Sequence, residues 1–314
     1  MTLFKTGTYT HGMTGRRLVS VALVFLALVI GAGTPLAAQA VQRSMYVSVL
    51  DAAGAPVADV SPADLVVRDD NVAREILRVA PADEPMQIEI LVDNSQAARD
   101  YIADMRGALA EFVDALLVPN TAGRRNEIAL VALGERPTTL AEPTFDAAQL
   151  HKGIDRLFSQ RGSATYLLDG IIEVCRGFKK RGATRPVIVA ITTEGPEFSS
   201  RHFDLVLNPL HETGAAFSAI VVGPMSSDTT DDARNRSIVL DQGTSSTGGR
   251  LDHLLTSMAL RGKLKQVADE LTHQYLVTFA RPQSLIPPQR TTVAAAKPGI
   301  TVRGTLIKEA QASR

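Results

Sequence analysis

"IEILVDNSQAARDY", residues 88–101, joins two kinds of sequence. Ile88 to Val92 is a near-continuous apolar run, the pattern of a strand buried on both faces. It stops on Asp93, and Ser95 follows two residues later. From Ala97 to Leu117 the period changes: Ile102, Met105, Leu109, Phe112, Val113 and Leu116 recur at helical spacing. A buried strand running into a helix through a polar junction is one unit of an alternating α/β fold. Asp93 and Ser95 either bind something at that junction or close a turn and cap the helix.

The unit repeats along the chain. "NEIALVAL" (126–133), "RPVIVAIT" (185–192) and "AAFSAIVVG" (215–223) read as three more buried strands. Helical spacing covers Phe145 to Phe158, Tyr166 to Lys180, Arg201 to Thr213 and Leu251 to Thr272, and "QYLVTFA" (274–280) reads as a last strand. Met225 to Ser246 is polar and reads as a loop with an apolar patch at Ile238 to Leu240. This alternation predicts an α/β fold: a doubly wound, mostly parallel sheet with helices on both faces, Rossmann-like in outline. In such sheets ligands sit at the carboxyl ends of the strands. Asp93, Ser95 and "TTEG" (192–195) fall there.

Before this series, Met45 to Leu50, "DLVVRDD" (64–70) and "AREILRV" (73–79) read as short strands, broken by turn chemistry at Gly54 and Pro56. After Pro282, "TTVAAAKPGITVRGTLI" (291–307) reads as two more around Lys297-Pro298-Gly299. The expected organisation is a signal peptide at 1–40, a small β unit at 41–82 and the α/β domain at 86–281. An extension at 282–314 is expected to rejoin the β unit.

Composition excludes several classes. The 33 basic and 33 acidic residues cancel, so no global field favours nucleic acid or an anionic membrane. Tryptophan is absent and aromatics are 5%, which argues against stacking platforms for bases or sugars. Arg16 and Arg17 precede an apolar run, Leu18 to about Ile30, and Ala38-Gln39-Ala40 fits a small-x-small cleavage site. The run is short for a membrane span, so it reads as a Sec-type signal cleaved after Ala40, with an uncleaved anchor as the alternative and Met13 a candidate start. The mature chain would be periplasmic or secreted, with no membrane span. Cys175, alone, permits no internal disulfide and lies in an apolar helical pattern as a buried, inert thiol.

Three segments then align: "DNSQA" (93–97), "GSATYLLDG" (162–170) and "AITTEG" (190–195). Their order resembles the von Willebrand factor A domain, whose metal-ion-dependent adhesion site uses an Asp-x-Ser-x-Ser loop, a distant Thr and an Asp in a "TDG"-like loop. "STGGRL" (246–251), "ADELTHQYLVTFA" (268–280) and "YVSVLDAAGAPVADVSPADLVVRDD" (46–70) are similar, more narrowly, to secreted bacterial proteins related to that family. The resemblance implies a degenerate site of Asp93, Ser95, Thr165 and Glu194. Ala97 stands where the second Ser belongs, and Glu194 stands where the family has Asp. Two readings stay open. One is a cation site for Mg²⁺, Mn²⁺ or Ca²⁺. The other is a pseudo-site without an ion, where Ser95 or Asp93 caps the helix and Glu194 is solvated.

The resemblance also implies a protein-interaction module that binds a protein partner at the top of the sheet, around loops 134–146, 196–201 and 224–247. A metal-independent envelope scaffold is the alternative. An extracytoplasmic hydrolase is the third reading, but the six histidines form no metal-ligand spacing, and no nucleophile elbow or phosphate loop is present. "GTSSTGGR" (243–250) reads as a flexible turn rather than an anion cradle. If the export reading holds, N-terminal sequencing of the mature protein will start at Val41. A start at Met1 or Met13 would mean an uncleaved segment.

Overall fold

The computed structural model describes residues 1–4, 7, 40–283 and 286–308. The segment read as an export signal, Met13 included, lies outside them except for residues 1–4, 7 and Ala40. The chain divides into two compact units, 1–41 with 282–285 and 42–281 with 286–314. The second unit carries the sheets and helices. Among the described residues no helix is long and apolar enough to cross a membrane.

In chain order the elements begin with β1 (Ala40–Leu50), β2 (Leu65–Asp69), β3 (Val72–Arg74) and β4 (Ile76–Pro81). The α/β series comes next: β5 (Gln87–Val92), α1 (Ile102–Leu116), β6 (Glu127–Ala132), β7 (Thr138–Thr144), α2 (Ala147–Asp155), α3 (Leu167–Arg181), β8 (Pro186–Thr193), α4 (Asp204–Thr213) and β9 (Ala216–Val222). Then come α5 (Asp231–Ile238), β10 (Leu251–Leu254), α6 (Leu260–Thr272), β11 (Tyr275–Pro282), β12 (Thr291–Ala295) and β13 (Thr301–Leu306). A six-stranded sheet has the order β10-β9-β8-β5-β6-β7. All its pairings are parallel except β6 with β7. This is the mixed, mostly parallel α/β fold that the alternation predicts.

Burial explains the order. Along β5, Ile88, Ile90 and Val92 enter one core with α1, α2 and α6, while Leu91 enters a second core with α3 and α4. Strands apolar on both faces need helices on both sides. Glu89 breaks the run. It is buried, and burial pushes its carboxyl up despite the Arg181 guanidinium at 2.6 Å.

Four expectations are corrected. "QYLVTFA" does not close the large sheet: β11 lies between β1 and β4 in a four-stranded sheet ordered β13-β1-β11-β4. Only alternate residues, Val277 and Phe279, are buried, as suits a sheet covered on one face. The large sheet instead ends on β10, four residues hidden at the head of a stretch with helical spacing. The segment 134–146 holds the edge strand β7 rather than a loop. Residues 225–246 are largely helical: α5 runs through a π turn, Val239–Gly243, into a helical turn at Thr244–Thr247.

The two glycines of "STGGRL" are a packing joint, not a flexible turn. Gly248 has φ +79°, and a Cβ there would come within 2.2 Å of the Gly304 carbonyl on β13. A Cβ on Gly249 would come within 1.8 Å of the Phe217 carbonyl on β9. Backbone therefore meets backbone where the two sheets join, and the Thr305 hydroxyl donates to the Thr247 carbonyl at 2.7 Å beside it. Gly249→Ala should cost about 3 kcal/mol of unfolding free energy, since overpacking against backbone has no cheap relief. Gly262→Ala, exposed on α6 with open space around it, should gain up to about 1 kcal/mol. Thermal and denaturant unfolding of the two variants measures both.

Candidate functional site at the carboxyl edge of the sheet

Each parallel strand of the large sheet ends at the same edge, and β5 delivers Asp93 there. Asp93 is fully buried, so its carboxylate must be hydrogen-bonded to be tolerated. Oδ1 accepts from the Ser95 backbone N–H at 2.8 Å. Oδ2 accepts from the Thr193 N–H at 3.1 Å and from the Thr193 hydroxyl at 2.6 Å. Thr193 is the last residue of β8, the strand beside β5, so one carboxylate ties the ends of two central strands.

The Ser95 hydroxyl, also fully buried, meets the Thr165 hydroxyl at 3.3 Å. Ser95 stands at the cap position of the 3₁₀ turn Gln96–Tyr101, but neither its side chain nor that of Asp93 caps it, which corrects the capping expectation. Thr165 is pinned through its backbone, bridged to Gly134 on one side and Glu197 on the other. Asn94 fixes the neighbouring loop: its amide donates to the Phe158 carbonyl at 2.9 Å and its oxygen accepts from the Gly134 N–H at 2.6 Å. Asp93, Ser95 and Thr165 therefore converge as a rigid polar cluster.

Glu194 does not join it in the same way. Its carboxylate pairs with Arg236 at 3.7 Å and His253 at 3.8 Å, so it is ion-paired rather than simply solvated. Arg236 comes from α5 and is 5% exposed. Its guanidinium donates to the Thr192 hydroxyl at 3.3 Å and to the Thr193 carbonyl. Its Nε is buried without a partner, a cost of about 1–3 kcal/mol.

These residues do not fit a dedicated divalent-cation site. Mg²⁺ requires a near-octahedral oxygen shell at about 2.0–2.1 Å. Asp93 already holds three donors, Ala97 offers no oxygen, and the Glu194 charge is met by a guanidinium. A Cβ built on Gly195 would lie 2.5 Å from the Ala97 methyl, so the place of the missing hydroxyl is a tight apolar contact. Among the described residues no group of three or more His, Cys, Asp or Glu gathers to hold a metal ion.

Sequence reasoning missed Arg236, Thr193, Asn94 and Glu197. Arg236 carried a readable signal. With Val239, Leu240, Gly243, Thr244 and Thr247 it is buried at spacings of three and four, the mark of a helix in a stretch read as loop. Glu197 is a helix cap brought in from another loop, and spacing cannot reveal that. It accepts from the Leu167 N–H at 3.2 Å at the start of α3, from the Ser199 N–H at 3.1 Å and from the Ser199 hydroxyl. A negative group at a helix N-terminus is favourable.

Residues 88–195 match the family model of the von Willebrand factor type A domain. No curated protein matches the chain in sequence. Similar solved structures include proximal thread matrix protein 1 from the mussel byssus, at 17% identity and TM-score 0.48, covering 65% of this chain and 49% of that one. This chain thus spans about half the length of the mussel protein. Others are the von Willebrand domain of the pili tip protein Mfa5 from Porphyromonas gingivalis (12%, TM-score 0.46, covering 60% and 96%) and the conserved hypothetical protein BatB from Bacteroides thetaiotaomicron (13%, TM-score 0.45, covering 60% and 99%). Domains of this type can bind a divalent metal, and one structure of the mussel protein has zinc at its adhesion motif (15%, TM-score 0.47, covering 65% and 49%).

Burial pushes the Glu197 carboxyl above its ordinary value of 4.5, and the Ser199 hydrogen bonds, the Arg236 charge and the Leu167 hydrogen bond only partly oppose this. A raised carboxyl contributes stability that is complete below the unfolded value and lost as pH rises through the folded one. Stability should therefore fall as pH rises from about 4.5 through the folded value, and Glu197→Gln should lack that fall. Glu197→Ala, which orphans two backbone donors, should cost about 2 kcal/mol or more at every pH. Unfolding curves from acid to neutral pH measure both.

Proposed function

We propose that this chain, whose α/β unit carries a von Willebrand factor type A domain, is an exported protein-interaction module without catalytic activity. It engages a protein partner through the loops at the carboxyl edge of its large sheet. Domains of this family are generally interaction modules rather than enzymes. One observation carries the choice of surface. Phe158, Phe198, Met225, Leu255 and Met258 are among the most exposed large apolar side chains of the folded unit; the first four stand in loops at that edge and Met258 in the 3₁₀ turn Ser257–Ala259 that follows β10. Apolar side chains exposed around a rigid polar centre are the pattern of a docking surface. The polar groups beneath them are committed to one another, which favours binding by shape over turnover.

The alternative is a metal-independent envelope scaffold docked by the β unit, and the geometry of Arg236 and Ala97 favours its metal-free element. Deleting residues 41–82 cannot test it. β1 and β4 flank β11, and β2 pairs with β12, so the deletion would dismantle both smaller sheets.

Photo-crosslinking from single positions separates the readings. Probes at Phe198 and Met258 should capture one partner in the native extracytoplasmic compartment. Probes at Val118 and Phe145, exposed at the opposite edge, should not. Phe198→Asp with Met258→Asp should abolish capture while shifting stability by about 0.5 kcal/mol or less. Capture only from Leu77, on β4, would favour the scaffold, and equal capture from both edges would overturn the docking surface.

A further inference from the structure

We infer that the Arg236 guanidinium is the resident cation of this edge. It balances charge where a divalent ion does so in other domains of this type, so the edge reaches its binding-ready arrangement without a metal. Only the consequence for partner binding rests on the interaction reading above; the ion chemistry stands whatever the partner is.

The first observation is burial. Arg185 and Arg236 are the two buried arginines among the described residues. Arg185 lies at the far edge, where it donates to the carbonyls of Ala82 and Glu84 and to the side chain of Gln274. Arg236 is inserted into the carboxyl edge itself. A helix as polar as α5 has no packing need for a buried guanidinium, and water would solvate it better unless a charge there required it.

The second observation is connectivity. The guanidinium donates to the carbonyl of Thr193, whose N–H and hydroxyl both hold Asp93. It also pairs with Glu194, the next residue. One positive group thus stands one residue from the buried carboxylate and in contact with the second. A cation at this edge would be required to meet the same two negative charges.

The third observation is that both departures from the family's ligand pattern fit this arrangement. Glu194 has one methylene more than Asp, and its carboxylate meets Arg236. Ala97 removes a hydroxyl that an ion would use and a guanidinium elsewhere does not, and its methyl packs against Gly195 instead. A guanidinium stays charged throughout the physiological pH range and cannot dissociate or be chelated. The edge should therefore be indifferent to chelators.

Two measurements on the purified protein test this. Calorimetric titration with Mg²⁺, Mn²⁺ and Ca²⁺ at millimolar concentration should give no saturable heat at the edge, and EDTA should leave the melting temperature unchanged. Saturable heat that vanishes in Ser95→Ala would overturn the inference. Heat that Ser95→Ala leaves intact arises elsewhere on the chain and agrees with it. The second measurement is a double-mutant cycle on melting temperature. Arg236→Met should lower it, and adding Glu194→Gln should recover part of the loss, because the orphaned carboxylate is gone. Arg236→Lys should retain more stability than Arg236→Met. Strictly additive losses for Arg236→Met and Glu194→Gln would mean the arginine only fills space, and would overturn the inference. Should Arg236→Met not fold, the titration with its Ser95→Ala control decides alone. Failure of the crosslinking experiment would leave both measurements unaffected, so the two readings fail separately.

Discussion

The architecture of the carboxyl edge depends on a single buried carboxylate. Asp93 has no access to water, yet it sits between the ends of the two central strands. Its lone pairs are met by donors from its own loop and from the end of β8. A charge buried in this way is tolerable only while those donors stay in place. The constraint propagates outward. Ser95 is fixed by donating its N–H to Asp93, Thr165 meets Ser95, and the Thr165 backbone is held between Gly134 and Glu197. Glu197 in turn caps α3. Loops that would otherwise be mobile become a rigid base for the apolar side chains above them.

How much of this could be read from residues alone depended on range. Asp93 and Ser95 were legible because a strand apolar on both faces that ends on polar residues declares its own boundary. Thr165 was legible only through a resemblance, since nothing local marks it. The hydrogen bonds from Thr193 to Asp93 were not legible at all. They join residues one hundred positions apart, and the pairing of β5 with β8 brings them together. Glu194 could be placed at the edge, but its partner depends on a helix that composition disguised as loop. In α5 and the turns that continue it the polar residues dominate the average, while Arg236, Leu240 and Thr244 turn inward. β10 shows the reverse failure: four residues are too few for a period, and the helix after it lends its own to them.

Two ionic groupings brace the smaller sheets, one against the α/β unit and one against each other. Glu270 on α6 accepts from Arg250, just before β10, at 3.2 Å and from Arg303 on β13 at 2.9 Å. Asp69, buried at the end of β2, meets Arg74, Arg281 and Thr291. Burial alone would raise the Asp69 carboxyl. The Arg281 and Thr291 hydrogen bonds, with help from Arg74, outweigh it and hold the group below its usual range. The Glu270 grouping flanks the backbone joint at Gly248 and Gly249, through Arg250 next to Gly249 and Arg303 next to Gly304, and the Asp69 grouping ties the two smaller sheets to each other.

The pairing of β1 with β13 has a mechanical consequence. The strands run antiparallel, with Met45 opposite Leu306 and Leu50 opposite Thr301. The chain therefore enters and leaves this sheet at one corner. Tension applied between entry and exit would not shear the ladder, because its hydrogen bonds lie across the strands and would open one pair at a time from that corner, as a zip opens. The α/β unit is strung between β4 and β11, and such tension would reach it first where β13 touches it, at Gly248, Thr247 and Glu270. A tether at this corner would load β13 and its contacts before it loads the carboxyl edge.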